Sequence, residues 1–144
     1  MSVHPTALIE DSTLDDVEVR EYVTVHDSEI GADSRIYERV SIKKSTLGES
    51  VDVNANSYVE NVDVGDRVQV GPNASVVGVT HALTDEGMEH RNDCFEEIVL
   101  EPGAFVGASA VVLPGVRVGR DAVVGANVTV TEDVAPGTVL RGDQ

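Results

Sequence analysis

Val106, Val112, Val118, Val124 and Val130 stand six residues apart without a break. Gly107, Gly119 and Gly125 follow three of them, and four residues after each valine comes Ala110, Val116, Ala122, Val128 or Val134. The same hexad, with a branched aliphatic first and a small or branched apolar residue fifth, runs back through most of the chain. Its first positions are Val76, Val70, Val64, Val59, Val53, Leu47, Ile42, Ile36, Ile30, Val25, Val19, Leu14 and Leu8, at spacings of six or five. Ile30-Gly31, Leu47-Gly48 and Val64-Gly65 follow one another at seventeen residues, so three hexads, one of them shortened, make one coil.

Each hexad reads as a short strand and a bend. Its first residue points inward and stacks on its equivalent in the next coil, about 4.8 Å away. Backbone hydrogen bonds between coils make a quasi-one-dimensional stack. Glycine is expected to serve the bends, where it accepts conformations that branched residues resist. Roughly six coils give a prism about 29 Å tall. A β-sandwich would not produce unbroken six-residue spacing, because its turns recur at longer intervals. The composition fits a narrow interior: Trp is absent, Phe occurs twice and Tyr three times, whereas Val occurs 28 times. Valine is small, stiff and favours strands. Few stretches carry a 3.6-residue period, which argues against a helix bundle.

One segment has no hexad. It runs from about Thr80 to Glu97, and the register resumes at Leu100. It is expected to be a loop protruding near 80–97, and insertions into repeats often mark the binding face. Two of the four histidines, His81 and His90, lie in it.

The 144 residues are read as one domain, 1–144. No apolar run is long enough to cross a bilayer, and the start does not resemble a signal peptide. Acidic residues outnumber basic ones 26 to 10, a net charge of −16. Such a surface repels phosphate backbones and anionic lipid, so neither nucleic acid nor membrane is expected as a partner. Many carboxylates with only two lysines suggest a salty cytoplasm, where the Debye length shrinks to roughly 3 Å at molar salt and self-repulsion is screened. The single cysteine, Cys94, permits no internal disulfide and no Cys-based zinc site, and it fits a reducing cytoplasmic compartment.

The Val-Gly-x-x-Ala-Val hexads, the interrupting loop with its histidine and the closing segment VLPGVRVGRDAVVGANVTVTEDVAPGTV resemble the hexapeptide acyltransferases. The likeness is greatest to the maltose/galactoside O-acetyltransferase group, over about Leu47 to Gly142. It implies an all-β chain folded as a left-handed parallel β-helix. It also implies a homotrimer with active sites between neighbouring prisms, and acetyl transfer from acetyl-CoA to a hydroxyl of a small-molecule acceptor such as a sugar.

By that resemblance His81, in VTHAL, matches the catalytic histidine, a general base whose unperturbed pKa near neutrality suits proton removal. Asn54, in VNAN, matches an acceptor-binding asparagine. Ala108, in VGAS, matches the position whose backbone N–H faces the developing oxyanion. Ala126 and Thr131 match positions lining the groove for the pantetheine of CoA. Departures are Ala82, where relatives read Pro after the histidine, and Glu132, where relatives often carry Lys near the CoA phosphates. Arg117, Arg120 and Arg141 are the basic residues that could substitute. The family's acidic acceptor-site pair is not matched, although Asn61 and Asp63 lie nearby.

Other readings stay beside this one. The prism could be a non-catalytic trimeric scaffold, or an N-acetyltransferase acting on an amino-sugar nucleotide. A γ-type carbonic anhydrase needs three His ligands, two of them five residues apart; His81 and His90 are nine apart and later coils contain no His, so no metal site is expected. His4 and His26 are expected on the surface, and Cys94 is expected to be inert.

Overall fold

The computed structural model describes residues 1–142. Its strands are short and parallel, and they stack into three flat faces of one left-handed parallel β-helix. Face I carries eight strands, from Ser2–Val3 through Asp52–Val53 and Phe105–Val106 to Val139–Leu140. Face II carries seven, from Leu8–Glu10 through Tyr58–Glu60 to Thr129–Val130. Face III carries six, from Thr13–Leu14 through Val62–Val64 to Arg117–Val118. The chain visits the faces in the order I, II, III in every coil.

Eight strands on face I exceed the six coils expected from the hexads. Ser2–Val3 and Val139–Leu140 account for the excess: they are the mostly exposed end strands, paired in register with Glu18–Val19 and Val123–Val124. At about 4.8 Å per step the prism is roughly 34 Å from first strand to last.

The inward positions are those of the hexad. Val53, Val70, Val106 and Val124 pair in register down face I and are all buried. The fifth positions Ala110, Val116, Ala122, Val128 and Val134 are buried with them. Leu8 is a correction: it is 53% exposed, and Ile9, paired with Val25, takes the inward place. In this outermost coil the inward position falls one residue later than the spacing implies.

The bends are also made differently from expectation. Fourteen non-glycine residues have positive φ, in a column at each edge of the prism. Asp33, Ser50, Arg67 and Asp121 turn the III/I edge; Asn56, Asn73, Ser109 and Asn127 turn the I/II edge. Asn and Asp tolerate this left-handed region better than other side chains. The glycine after the inward aliphatic is needed for space instead. A Cβ on Gly31 would lie 2.6 Å from the Gly48 carbonyl oxygen one coil on, and one on Gly107 would lie 2.7 Å from the Ala126 nitrogen.

Apart from Leu14 to Val19 at the III/I edge, the five-residue spacings fall at the II/III edge, where a single residue (Asp11, Asp27, Lys44 or Asn61) makes the turn. A serine ladder runs down this edge. The Ser28 N–H donates to Ser12 Oγ (3.0 Å), the Ser45 N–H to Ser28 Oγ (3.1 Å) and the Val62 N–H to Ser45 Oγ (3.1 Å). Each hydroxyl donates in turn to the carbonyl two residues back. The ladder meets N–H groups that a tight corner turns away from the strand pattern, and buried N–H groups need such partners.

Replacing Ser45 with Ala leaves the Val62 N–H buried without its acceptor. Ser45→Ala should therefore lower unfolding stability by about 1–3 kcal/mol, the desolvation cost of one orphaned polar group. Urea denaturation checks this, with exposed Ser109→Ala as the control that stays within about 0.5 kcal/mol.

Candidate active site

The interruption is an ordered β-hairpin. Val79–Thr84 pairs antiparallel with Gly87–Phe95, with a shift in register between His81 and Leu83. It leaves the prism at the II/III edge, between face II strand Ser75–Val77 and face III strand Ile98–Leu100. Asn61 holds its root: the Asn61 side-chain amide donates to the Gly78 carbonyl (2.9 Å), and the Ile98 N–H donates to the Asn61 carbonyl (3.2 Å). Gly78 is required there, since a Cβ would lie 2.5 Å from the Asn61 oxygen. Asn61 is thus a structural residue, and Asp63 stands exposed on face III.

His81 sits directly opposite Asp93 in the hairpin register. Its Nδ1 lies 3.6 Å from Asp93 Oδ1 and 3.4 Å from the Asn92 carbonyl oxygen. Two acceptors on the Nδ1 side favour the tautomer with the proton there, which leaves Nε2 free to accept one. Both side chains are partly exposed, at 37% and 40%. Sequence reasoning missed Asp93. It lies twelve residues from His81, and only the antiparallel pairing brings the two together.

Cross-strand partners share one side of a β-ribbon, and so do alternate residues. Val79, His81, Asp93 and Phe95 therefore lie on one side of the hairpin. At its foot the Lys44 ammonium sits 5.0 Å from the centre of the Phe95 ring and 3.9 Å from Glu60 Oε2. The Tyr58 hydroxyl donates to Glu60 Oε1 (2.7 Å), and the Lys43 ammonium lies 5.5 Å from the Tyr58 ring centre. Burial, the Glu60 hydrogen bond and the charges of Glu60 and Asp93 push the Tyr58 hydroxyl up to about 12.

The other expected site residues divide between two edges. Asn54, Ala108 and Ala126 lie along the I/II edge, each just past a face I strand. Thr131 follows face II strand Thr129–Val130, on the same II/III edge as His81. Hence one prism does not bring His81 and Asn54 together. Their heights do correspond. The hairpin leaves the coil that holds Gly71, which lies one step beyond Asn54 and one step before Gly107-Ala108.

The Asn54 side-chain amide donates to the Val70 carbonyl (2.9 Å), which also receives the Asn54 N–H. Among the described residues the Ala108 N–H donates to no protein acceptor, while its carbonyl receives the Asn127 N–H (2.9 Å). Ala126 and Thr131 are exposed. Thr131 borders a concavity of about 500 Å³ near the C-terminal end, with Asn127, Glu132 and Arg141. Arg117 is committed elsewhere: its guanidinium bonds Glu101, whose other oxygen accepts the Arg120 N–H. These bonds, that of Arg117 first, hold the Glu101 carboxyl below its ordinary range. Arg141 is the candidate arginine that faces the concavity beside Thr131. His90 is exposed, and His26 faces outward with its Nδ1 3.8 Å from Glu10 Oε1. Among the described residues no three His, Cys, Asp or Glu side chains converge to hold a metal ion.

The architecture is a hexapeptide-repeat prism bearing one hairpin with a histidine, and comparison with known proteins agrees on the repeat and the fold. The family described as bacterial transferase hexapeptide (six repeats) matches residues 97–132. No curated protein matches the sequence significantly. Among solved structures the chain is similar to AntD, an N-acyltransferase from Bacillus cereus, in complex with dTDP-4-amino-4,6-dideoxyglucose and coenzyme A. The TM-score is 0.76 at 16% identity, covering 91% of this chain and 81% of that one. It is also similar to PerB from Caulobacter crescentus, in complex with CoA and GDP-perosamine, with TM-score 0.57 and 23% identity over 94% of this chain and 50% of that chain. A hexapeptide-repeat acetyltransferase from Vibrio cholerae matches with TM-score 0.51 and 21% identity, over 91% of this chain and 65% of that one. At these identities the likeness establishes the fold.

The Tyr58 environment is open to titration. Because its hydroxyl is held neutral to about pH 12, above the ordinary tyrosine value of 10.0, the unfolded chain releases that proton first. The folded state binds more protons over that interval, so stability falls as pH rises from 10 toward 12. Phenolate absorbance should show one tyrosine ionising near pH 12, and Glu60→Gln should lower that midpoint.

Proposed function

We propose that the protein is an acetyl-CoA-dependent acetyltransferase that works as a homotrimer, with His81 as general base. The carrying observation is the division of the site. His81 and Thr131 occupy one edge, Asn54, Ala108 and Ala126 another, and the heights of Asn54 and Ala108 bracket the hairpin's coil. A three-fold axis parallel to the prism preserves height, so each II/III edge meets a neighbour's I/II edge at the level where these residues complement one another. The acceptor then lies toward Asn54 and the thioester toward Ala108 and Ala126.

The lower part of the I/II edge suits an extended pantetheine arm. Gly107-Ala108 and Gly125-Ala126 carry no large side chain, and the Ala108 N–H is available as a donor. Acetyl-CoA supplies the activated acetyl group. His81 Nε2 takes the acceptor proton as the acceptor atom bonds to the acetyl carbon. Asp93 and the Asn92 carbonyl hold Nδ1, so the imidazolium that forms is stabilised. The Ala108 N–H faces the oxygen on which negative charge grows. When the carbon–sulfur bond breaks, the imidazolium returns the proton to the leaving thiolate, and no covalent enzyme intermediate is needed. Arg141 is the side chain placed to meet a CoA phosphate near Thr131, in place of the lysine that Glu132 replaces.

The acceptor is a hydroxyl of a sugar or similar small molecule. A second reading, transfer to the amine of an amino-sugar nucleotide, is supported by the amino-sugar nucleotides bound in the similar AntD and PerB structures. The acidic, lysine-poor surface suits a concentrated-salt cytoplasm.

The test is free-thiol release from acetyl-CoA in molar KCl with a panel of sugars and amino sugars. His81→Ala should lower kcat by about 100-fold or more, the range general base catalysis supplies. Trimers mixed equally from His81→Ala and Asn54→Ala chains should recover about a quarter of wild-type activity, the share of sites drawing both intact residues from two subunits. No recovery would place both residues in one subunit's site and sink the arrangement. No release and no CoA binding by the wild type would leave a scaffold protein.

A further inference from the structure

The hairpin is the one part of the chain that the hexad frame does not place. Its root is pinned by Asn61 and Gly78, but a pinned root leaves a two-stranded ribbon free to swing, since an isolated hairpin is marginally stable in water. Something must fix its angle if His81 is to address a site shared with a neighbour.

Phe95 and Asp93 are two residues apart on one strand, on the side of the ribbon that carries His81. Phe95 remains 54% exposed, yet the Lys44 ammonium covers its ring at 5.0 Å. Lys44 is itself a turn residue with φ of 51°, so its backbone is part of the rigid II/III edge two coils from the hairpin's root. Its ammonium also approaches Glu60 at 3.9 Å, and Glu60 accepts the Tyr58 hydroxyl at 2.7 Å. Tyr58 lies within the field of Asp93, the partner of His81. The contacts run from Phe95 on the hairpin through Lys44 and Glu60 to Tyr58 on face II, whose hydroxyl feels the charge of Asp93. The chain has only two lysines, Lys43 and Lys44, and both lie against aromatic rings here.

We propose that Lys44 is a positioning residue: clasping Phe95 and Glu60, it fixes the hairpin on the prism and so sets where the His81–Asp93 pair stands. Lys44 touches no reacting atom. A cation over an aromatic face contributes about 0.5–1 kcal/mol at an exposed site, enough to bias an angle but too little to bear on the fold. The ammonium's attraction to Glu60 is screened by salt and its attraction to the ring much less so, which suits a clasp that works in concentrated salt. The catalytic consequence rests on the acetyltransferase reading above; the clasp itself does not.

Lys44→Met keeps the alkyl stem and removes the cation, and Lys44→Arg keeps a cation that can lie over the ring. Three readouts apply to each: thermal unfolding, the rate of limited proteolysis at the hairpin tip around Asp85–Gly87, and the NMR shifts of the His81 imidazole. Lys44→Met should cleave at least about fivefold faster at the tip and move the His81 signals, with a melting temperature within about 2 °C of wild type. Lys44→Arg should restore both. If thiol release is observed, Lys44→Met should lower kcat about tenfold with the KM for acetyl-CoA unchanged within twofold. Wild-type cleavage and unmoved His81 signals in Lys44→Met would overturn the clasp. A fall in melting temperature shared by both variants would make Lys44 a structural turn residue and overturn it as well. If the wild type neither turns over nor binds CoA, the acetyltransferase reading fails, while proteolysis and NMR still decide whether Lys44 holds the hairpin.

Discussion

Hydrogen bonds between successive coils, run in parallel along three faces, fix nearly everything else in this protein. Each residue meets its equivalent one coil on at the ordinary interstrand distance, so a side chain too large for that spacing has nowhere to go. The interior must be filled by one column of branched aliphatics per face, with small residues at the fifth position, and that is where the valines go. The same spacing requires glycine at Gly31, Gly71, Gly107 and Gly119, each just after an inward aliphatic, where a Cβ would strike the next coil's backbone. Conformational freedom, the usual reason for glycine at a bend, is supplied here mostly by Asp, Asn, Ser and a few larger residues in the left-handed region. Stacking also turns polar groups into ladders, and the serines of the II/III edge satisfy corner N–H groups along its first four coils.

A prism of this kind is uniform along its length, which is poor material for a cleft. The chain departs from uniformity in two ways. The I/II edge changes from polar residues at Tyr37 and Asn54 to Gly and Ala in the C-terminal coils, leaving a shallow track with an Ala108 N–H that no acceptor among the described residues engages. The II/III edge gives rise to the hairpin, at the corner where the turn is tightest. The candidate site residues therefore sit on two edges of one prism, which is why the proposed function calls on a neighbouring prism. The hairpin is held by polar and aromatic contacts, since its exposed position offers no core to bury.

Most of the fold was legible because a hexad repeated many times over averages out local ambiguity. Val106 to Val130 alone established the period, and seventeen-residue steps at Gly31, Gly48 and Gly65 established three strands per coil. The end coils were missed, and Leu8 was placed inward, because a terminal coil has a neighbour on one side only and its apolar signal is diluted. His81 was legible as a histidine at the start of the one break in the repeat. Asp93 was not, because antiparallel register within a hairpin does not follow from hexad counting. Lys44 and Tyr58 were hidden for a related reason. They occupy outward positions of ordinary hexads, and only the fold-back of the hairpin gives those positions a partner.

The sequence by itself determined the coil, its period, the columns of the core and the point where the repeat breaks, since all of these are local patterns multiplied by stacking. The tertiary structure alone decided which edge each candidate site residue occupies, at what height, and against which neighbour. Those facts depend on how many residues each corner consumes and on how the hairpin lies, and a difference of one residue at a corner carries a side chain from one edge of the prism toward the next.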